Sequence, residues 1–289
     1  MSVARPNLTA MQATRSDYSL GVLLLLTSAL TFSTAGLFTK GVVAGAWAVI
    51  FWRGLFAGLF TTFWTIHRGT FRHNFLSMGR SGLVVGVIGA IGTACFIPAF
   101  KLTSIANVAL IFAASPLIAS VLAWAFIGER PRGRTIVGAC MALVGVAIIV
   151  SGSLGASNLR GDVLALIMTL MMSGVMVIYR ARPDTPGAGP SVLQSIFLLP
   201  PAFLLGQPLQ TQPIEIVILM AFGILFAIAS VTLAEGAKRV PSGQTALLSS
   251  LETPLAPLLA FLVLSEVPNT ATLIGGLVVF AAVLLSIRR

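Results

Sequence analysis

The chain has 289 residues, of which 57% are hydrophobic and only 9% charged, and its mean hydropathy of +0.99 lies far beyond that of soluble domains. A soluble core of this length needs a charged shell; 18 basic and 8 acidic side chains, gathered between long apolar runs, do not supply one. The net charge of +10 is not a nucleic-acid footprint either, because the bases sit in short clusters such as ERPRGR (129–134) and YRAR (179–182), and no segment interleaves them with exposed aromatic residues.

The first stretch, MSVARPNLTAMQATRSDYS, is polar and leads into an apolar run too long for a signal peptide, with no clear cleavage site. It reads as a cytoplasmic tail, 1–17, ahead of a retained first span. Apolar runs of about 20 residues cross a hydrocarbon core as helices. Ten are predicted, at 18–38, 45–66, 80–100, 105–127, 134–152, 161–179, 189–206, 214–234, 243–264 and 270–287. Pro190, Pro200 and Pro201 bracket the seventh and Gln194 and Ser195 lie within it, so a kinked or tilted helix is expected there. With the N-terminus inside, fourteen of the 18 Lys and Arg residues fall in inside loops; Lys40, Lys101 and Arg160 fall outside and Arg53 within a span. One missed helix would swap every later loop, so this asymmetry predicts cytoplasmic termini.

The connections leave no room for a soluble catalytic domain. Cys95 and Cys140 lie inside apolar spans, which suggests neither a disulfide framework nor a thiolate site. There is no His-Glu-x-x-His run, no Gly-rich phosphate loop ahead of a lysine, and no serine with a histidine on another span. The sequence predicts no enzyme, no metal and no cofactor.

Displacing the sequence by 137 residues lays 101–146 over 238–283. Leu and Ala coincide cheaply in membrane helices. The pairs Glu129/Glu266 and Pro131/Pro268, followed by Thr135/Thr272 and Gly138/Gly275 at the same offset, do not. Two halves follow, 18–152 and 161–287, with five spans each. An odd number places the copies in the bilayer in opposite senses, the architecture with which secondary transporters build a midplane site.

Lys101 to Asn107 opening the fourth span, Gly128-Glu129-Arg130 at its end, their copies at Lys238 to Gln244 and Ser265-Glu266, and Arg53 in the second span resemble the drug/metabolite transporter superfamily, in its EamA-type branch. The resemblance covers nearly the entire chain, and within the family it is nearest to YddG-like bacterial exporters of amino acids and aromatic metabolites. It implies an all-α inner-membrane protein of ten helices in two inverted five-helix repeats, with a central cavity among spans 1, 3, 4, 6, 8 and 9. The family often places a glutamate directly before the proline of the fourth or ninth span. Here stand Ser115-Pro116 and Glu252-Thr253-Pro254, so the fourth span lacks that carboxylate and the ninth carries it one residue early.

Glu252 stands mid-span, where an ionisable side chain costs at least about 2.5 kcal/mol unless it faces protein or water. Two roles are open for it: a substrate contact or proton-linked switch, or a structural ion pair with Arg53, the one base inside a span. Pro116 and Pro254 interrupt helices at corresponding depth, which in inverted halves points to a transport site, against the alternative of static kinks. Further cavity-lining candidates are Ser33 and Thr34, Thr93 and Phe96, Asn107 and Ser115, Thr169 and Ser173, Ser230, Gln244 and Ser249. Hydroxyls on helices often bond their own backbone instead. Gly82, Gly86 and Gly89, and Gly138, Ala142 and Gly145, are spaced as close-packing seams.

The sequence thus predicts a secondary transporter that exports small metabolites, amino acids or aromatic and amphipathic compounds first among them, by alternating access. Its partners are the substrate and the lipid bilayer, no nucleic acid is expected, and a monomer suffices. The alternative is a membrane sensor or scaffold that binds a ligand in the same cavity without moving it. Spans without clustered Arg or Lys suit apolar or zwitterionic molecules better than phosphorylated ones. Reporter tags in the loops around residues 129 and 266 are expected to report opposite sides of the bilayer; the same side for both would refute the inverted arrangement.

Overall fold

A computed structural model describes residues 15–40, 42–102, 105–151, 158–264 and 270–287, with most of their side chains. Among these residues every regular element is helical. Hydrocarbon demands this, because a helix satisfies its own backbone N–H and C=O groups where no water is present to do so. The helices are α1 (Arg15–Ser33), α2 (Ala35–Lys40), α3 (Ala46–His67), α4 (Gly79–Leu102), α5 (Ile105–Phe112), α6 (Ser115–Ile127), α7 (Gly133–Val150), α8 (Leu159–Ala181), α9 (Ala188–Gly206), α10 (Pro213–Ala237), α11 (Ser242–Ser249), α12 (Glu252–Leu264) and α13 (Thr270–Ile287). Short π and 3-10 segments lie at Arg72–Leu76 and Pro208–Gln210.

Eight helical segments are long and apolar enough to cross a membrane, and Gly133–Ile149 is a shorter apolar one. The expected spans differ from the helices in three places. The first is interrupted at Thr34, the fourth at 113–114 and the ninth at 250–251. The ninth therefore consists of α11 and α12, of 8 and 13 residues, each too short to cross a bilayer alone. The seventh, α9, runs unbroken through Pro200 and Pro201.

Local chemistry sets the ends. Gly128 adopts a left-handed conformation (φ 69°) that stops α6, which glycine reaches without a Cβ penalty. Asn158 caps α8, its side chain accepting the Arg160 N–H at 3.0 Å. Pro213 opens α10, where its missing N–H costs no intrahelical bond.

The helix boundaries repeat at the offset that relates Gly138 to Gly275, 137 residues. Both ends of α5 and α11, of α6 and α12, and of α7 and α13 are displaced by it. Moreover, α7 and α13 pack directly on each other. A Cβ added to Gly138 would lie 2.9 Å from the Ala282 carbonyl oxygen, and one added to Gly145 would lie 2.8 Å from that of Gly275. Residue numbers rise along one helix as they fall along the other, so the two run antiparallel. Each contact is also the repeat image of the other, since Gly138 corresponds to Gly275 and Gly145 to Ala282, as in an isologous interface. A second antiparallel seam joins α3 to α9, with Gly54 and Gly58 against Ser195 and Gly206 against Ala48.

Between the seams the interior is built from small and branched residues. One cluster unites Leu25, Ala29, Ala113, Val146, Leu247, Leu251 and Val279 from both halves, and the Ser28 hydroxyl ties α1 to α10 by donating to the Ala229 carbonyl at 2.9 Å. Large apolar side chains such as Phe126, Leu204 and Leu277 point outward, the arrangement of a bundle solvated by lipid.

Replacing Gly145 by leucine is expected to cost roughly 1–3 kcal/mol through overpacking, read as a lower thermal midpoint in detergent. Gly45→Ala, whose Cβ meets open space, should leave the midpoint unchanged.

Candidate functional site

The two interruptions have the same construction. At the first, the Ala113 N–H still donates to Ala109 at 2.9 Å, but the Ala114 N–H turns to Ile111 at 3.1 Å. Pro116 then supplies no N–H to the carbonyl four residues earlier. At the second, Leu251 donates to Leu248 at 3.2 Å and Thr253 to Ser250 at 3.1 Å, and Pro254 withholds its donor. These i to i+3 bonds tighten each turn. The first break is met by α8, where the Ser173 hydroxyl reaches the Ser115 carbonyl at 3.4 Å, while the buried Ser115 hydroxyl has no hydrogen-bond partner.

Most other hydroxyls among the candidates serve their own helix. Ser33 donates to Leu30, Thr34 to Thr31, Thr169 to Ala165 and Ser249 to Thr245. Thr93 accepts from the Gln194 amide at 2.8 Å, fixing α4 to α9. Gln244 accepts the Tyr18 hydroxyl at 3.1 Å and donates to the Ser286 carbonyl at 2.6 Å. Ser230 is half-buried and Phe96 exposed. Asn107 lies in α5, but its side chain falls outside the described set. Pro116 and Pro254 are both buried, at the first turns of α6 and α12.

Glu252 is the first residue of α12, where the helix dipole favours a negative charge. Its helix packs on α1, α2 and α13. Among the described residues the carboxylate has no hydrogen-bond or ion-pair partner, so the pairing with Arg53 is not formed. Arg53 instead lays its guanidinium over Phe226, 4.1 Å from the ring centroid, and within 5.6 Å of Phe222. Those rings are held in turn by Phe32, edge-on at 5.8 Å, and Phe38, stacked at 5.3 Å. An aromatic box thus replaces a counter-ion, although the buried Nε of Arg53 stays without an acceptor.

One end of the bundle is sealed by a polar network. Glu129 accepts from the Arg180 Nε at 2.8 Å and from the Ser242 N–H, the start of α11, at 2.9 Å. Arg180 also donates to the Lys238 carbonyl at 3.2 Å. The loop after α6 is thereby fastened to α8 and to the α10–α11 turn. Side chains of Glu129 and Arg180 are only 15% and 11% exposed, a setting in which charge-assisted hydrogen bonds are strong. Nearby, Glu235 holds Lys238 and Arg239, and Ser81 and Thr185 share a hydrogen bond of 2.7 Å. Every residue from 242 to 251 is buried.

Comparison with known proteins decides the family. The model of the EamA-like transporter family matches residues 19–151 and, separately, 159–288. The chain belongs to that family. It is 28% identical over 216 residues to the uncharacterized transporter YwfM of Bacillus subtilis, covering 68% of this chain and 72% of that protein. A solved crystal structure with 21% identity superposes with a TM-score of 0.80 over 92% of this chain and 97% of the other, which shows a shared fold. The chain is therefore a multi-pass membrane transporter and not an enzyme.

Sequence reasoning named Glu129 only as a repeat and family mark and Arg180 only as a topology charge. Fifty-one positions separate them, and the useful signal was that an acid recurring with a nearby proline in both halves needs a partner. Glu129→Gln should weaken the seal by about 1.5 kcal/mol, about tenfold in the open population. The readout is alkylation of a cysteine introduced at buried Thr245, expected to be several-fold faster. Arg180→Gln should act in the same direction, and unchanged rates in both variants would mean that packing alone closes this end.

Proposed function

We propose that this transporter exports small metabolites, amino acids and aromatic or amphipathic compounds first among them, across the bacterial inner membrane by alternating access of two inverted five-helix halves. The observation that carries the reading is the matched pair of broken helices, α5/α6 and α11/α12, at one offset in the sequence. Interrupted helices at corresponding places in two halves leave backbone groups and helix termini for a substrate. The antiparallel packing of α7 on α13 supports the inversion. Ten spans with both termini inside is the topology that also collects the basic residues on one face.

In that topology the end sealed by Glu129 and Arg180 is cytoplasmic, and the path to the cytoplasm is shut in this conformation. Glu252, at the second break and free of described partners, is the group that meets substrate or carries a proton. Ser115 stands at its repeat position with an unpaired hydroxyl and offers a neutral donor instead. One carboxylate without clustered bases suits an amine-bearing or zwitterionic solute better than a phosphorylated one.

Counterflow in proteoliposomes tests the reading. Labelled amino acid is expected to accumulate against preloaded unlabelled amino acid, whereas a ligand-binding sensor would bind without exchange. Glu252→Gln should keep exchange but abolish its dependence on an imposed pH gradient. Coupled flux that persists unchanged in this variant would remove the proton-carrying role.

A further inference from the structure

At the end of α6 the left-handed turn at Gly128 sends the chain back against the helix it has just left. Arg130 and Pro131 then close a groove of about 360 Å³ whose other walls are Ser120, Val121 and Trp124. Val121 and Trp124 are 60% and 58% exposed on the outer surface of α6, so this groove opens toward lipid and not toward the bundle interior. Its apolar wall runs along the helix, and its cationic end lies where the helix leaves the hydrocarbon. Tryptophan at that level is at home between acyl chains and headgroups.

The charge balance of the loop is what gives the groove a preference. In the run GERPRGR (128–134) the single acid, Glu129, is turned inward and occupied by Arg180 and the Ser242 N–H. Arg130 and Arg132 are exposed and form no ion pair with any described residue. No carboxylate lines the groove to receive the ammonium of a zwitterionic headgroup, whereas an anionic phosphodiester meets the uncompensated guanidinium of Arg130 there, with that of Arg132 two positions further along the loop, and Arg is the residue best shaped for phosphate. Basic pockets between membrane helices at the headgroup level hold anionic lipids for this reason.

We propose that the groove binds an anionic phospholipid, its phosphate on Arg130 with Arg132 alongside, and one acyl chain against Val121 and Trp124. The site adjoins the sealed end. Ser120 at its floor packs so closely on Gly243 of α11 that a Cβ at Gly243 would overlap the Ser120 hydroxyl. Residues 129 and 130 are consecutive, so lipid held by Arg130 steadies the same loop that Glu129 fastens to α11.

The test uses the full chain purified in a neutral detergent and titrated with phosphatidylglycerol or phosphatidylcholine, with bound lipid counted by native mass spectrometry. Phosphatidylglycerol is expected to be retained at least fivefold better. Arg130→Ala should bring it to the phosphatidylcholine level, and Trp124→Ala should lower retention of both lipids. Arg72→Ala, at another exposed arginine, should change nothing. Equal retention of the two lipids, or full retention in Arg130→Ala, would overturn the proposal. So would an equal loss in Arg72→Ala, which would indicate diffuse attraction and no site. Thermal midpoints without added lipid confirm that each variant is folded.

Discussion

Inside hydrocarbon no backbone polar group goes unpaired without a cost of several kcal/mol, and that constraint organises this molecule. It explains why every described element is a helix, and it makes the exceptions informative. Two helices are broken beside buried prolines, Pro116 and Pro254, and both breaks lie within the bundle and not on its lipid-facing surface. The Ser173 hydroxyl reaching Ser115 shows how neighbouring helices take up what a break leaves unsatisfied. Interruptions kept in both halves carry a standing energetic penalty that the many hydroxyls bonded to their own helices do not.

The charged groups divide by the same logic. Arg53 is stabilised by aromatic faces, Glu129 and Arg180 by each other and by a helix terminus, and Glu235 by two bases. Glu252 has none of these among the described residues. Paired charges fasten elements together at one end of the bundle, whereas the acid at the second break has no such fastening among the described residues.

Much of this was legible in the sequence, for physical reasons. Membrane class follows from composition, helix limits from the lengths of apolar runs, and the repeat from Glu-x-Pro at one offset, which is also the offset of the helix boundaries. Prolines announced two of the three interruptions. The third, at Thr34, has no such signal: its hydroxyl bonds the Thr31 carbonyl within a stretch, TFSTAG, that reads as ordinary helix. Side-chain partners were less accessible. Arg53 looked like a partner for Glu252 because they are the charges nearest mid-span, yet Phe226 lies 173 positions from Arg53 and no periodicity links them. The hydroxyls were ambiguous for a different reason, since Ser and Thr choose between a neighbour and their own turn only once packing is fixed.

The glycine seam between α7 and α13 has a mechanical corollary. With carbonyl oxygens this close to the facing glycine backbones, the two helices have almost no slack, and neither slides past the other without a collision. The pair is thus a fixed post, and the shorter, interrupted helices α5/α6 and α11/α12 are stacked against it.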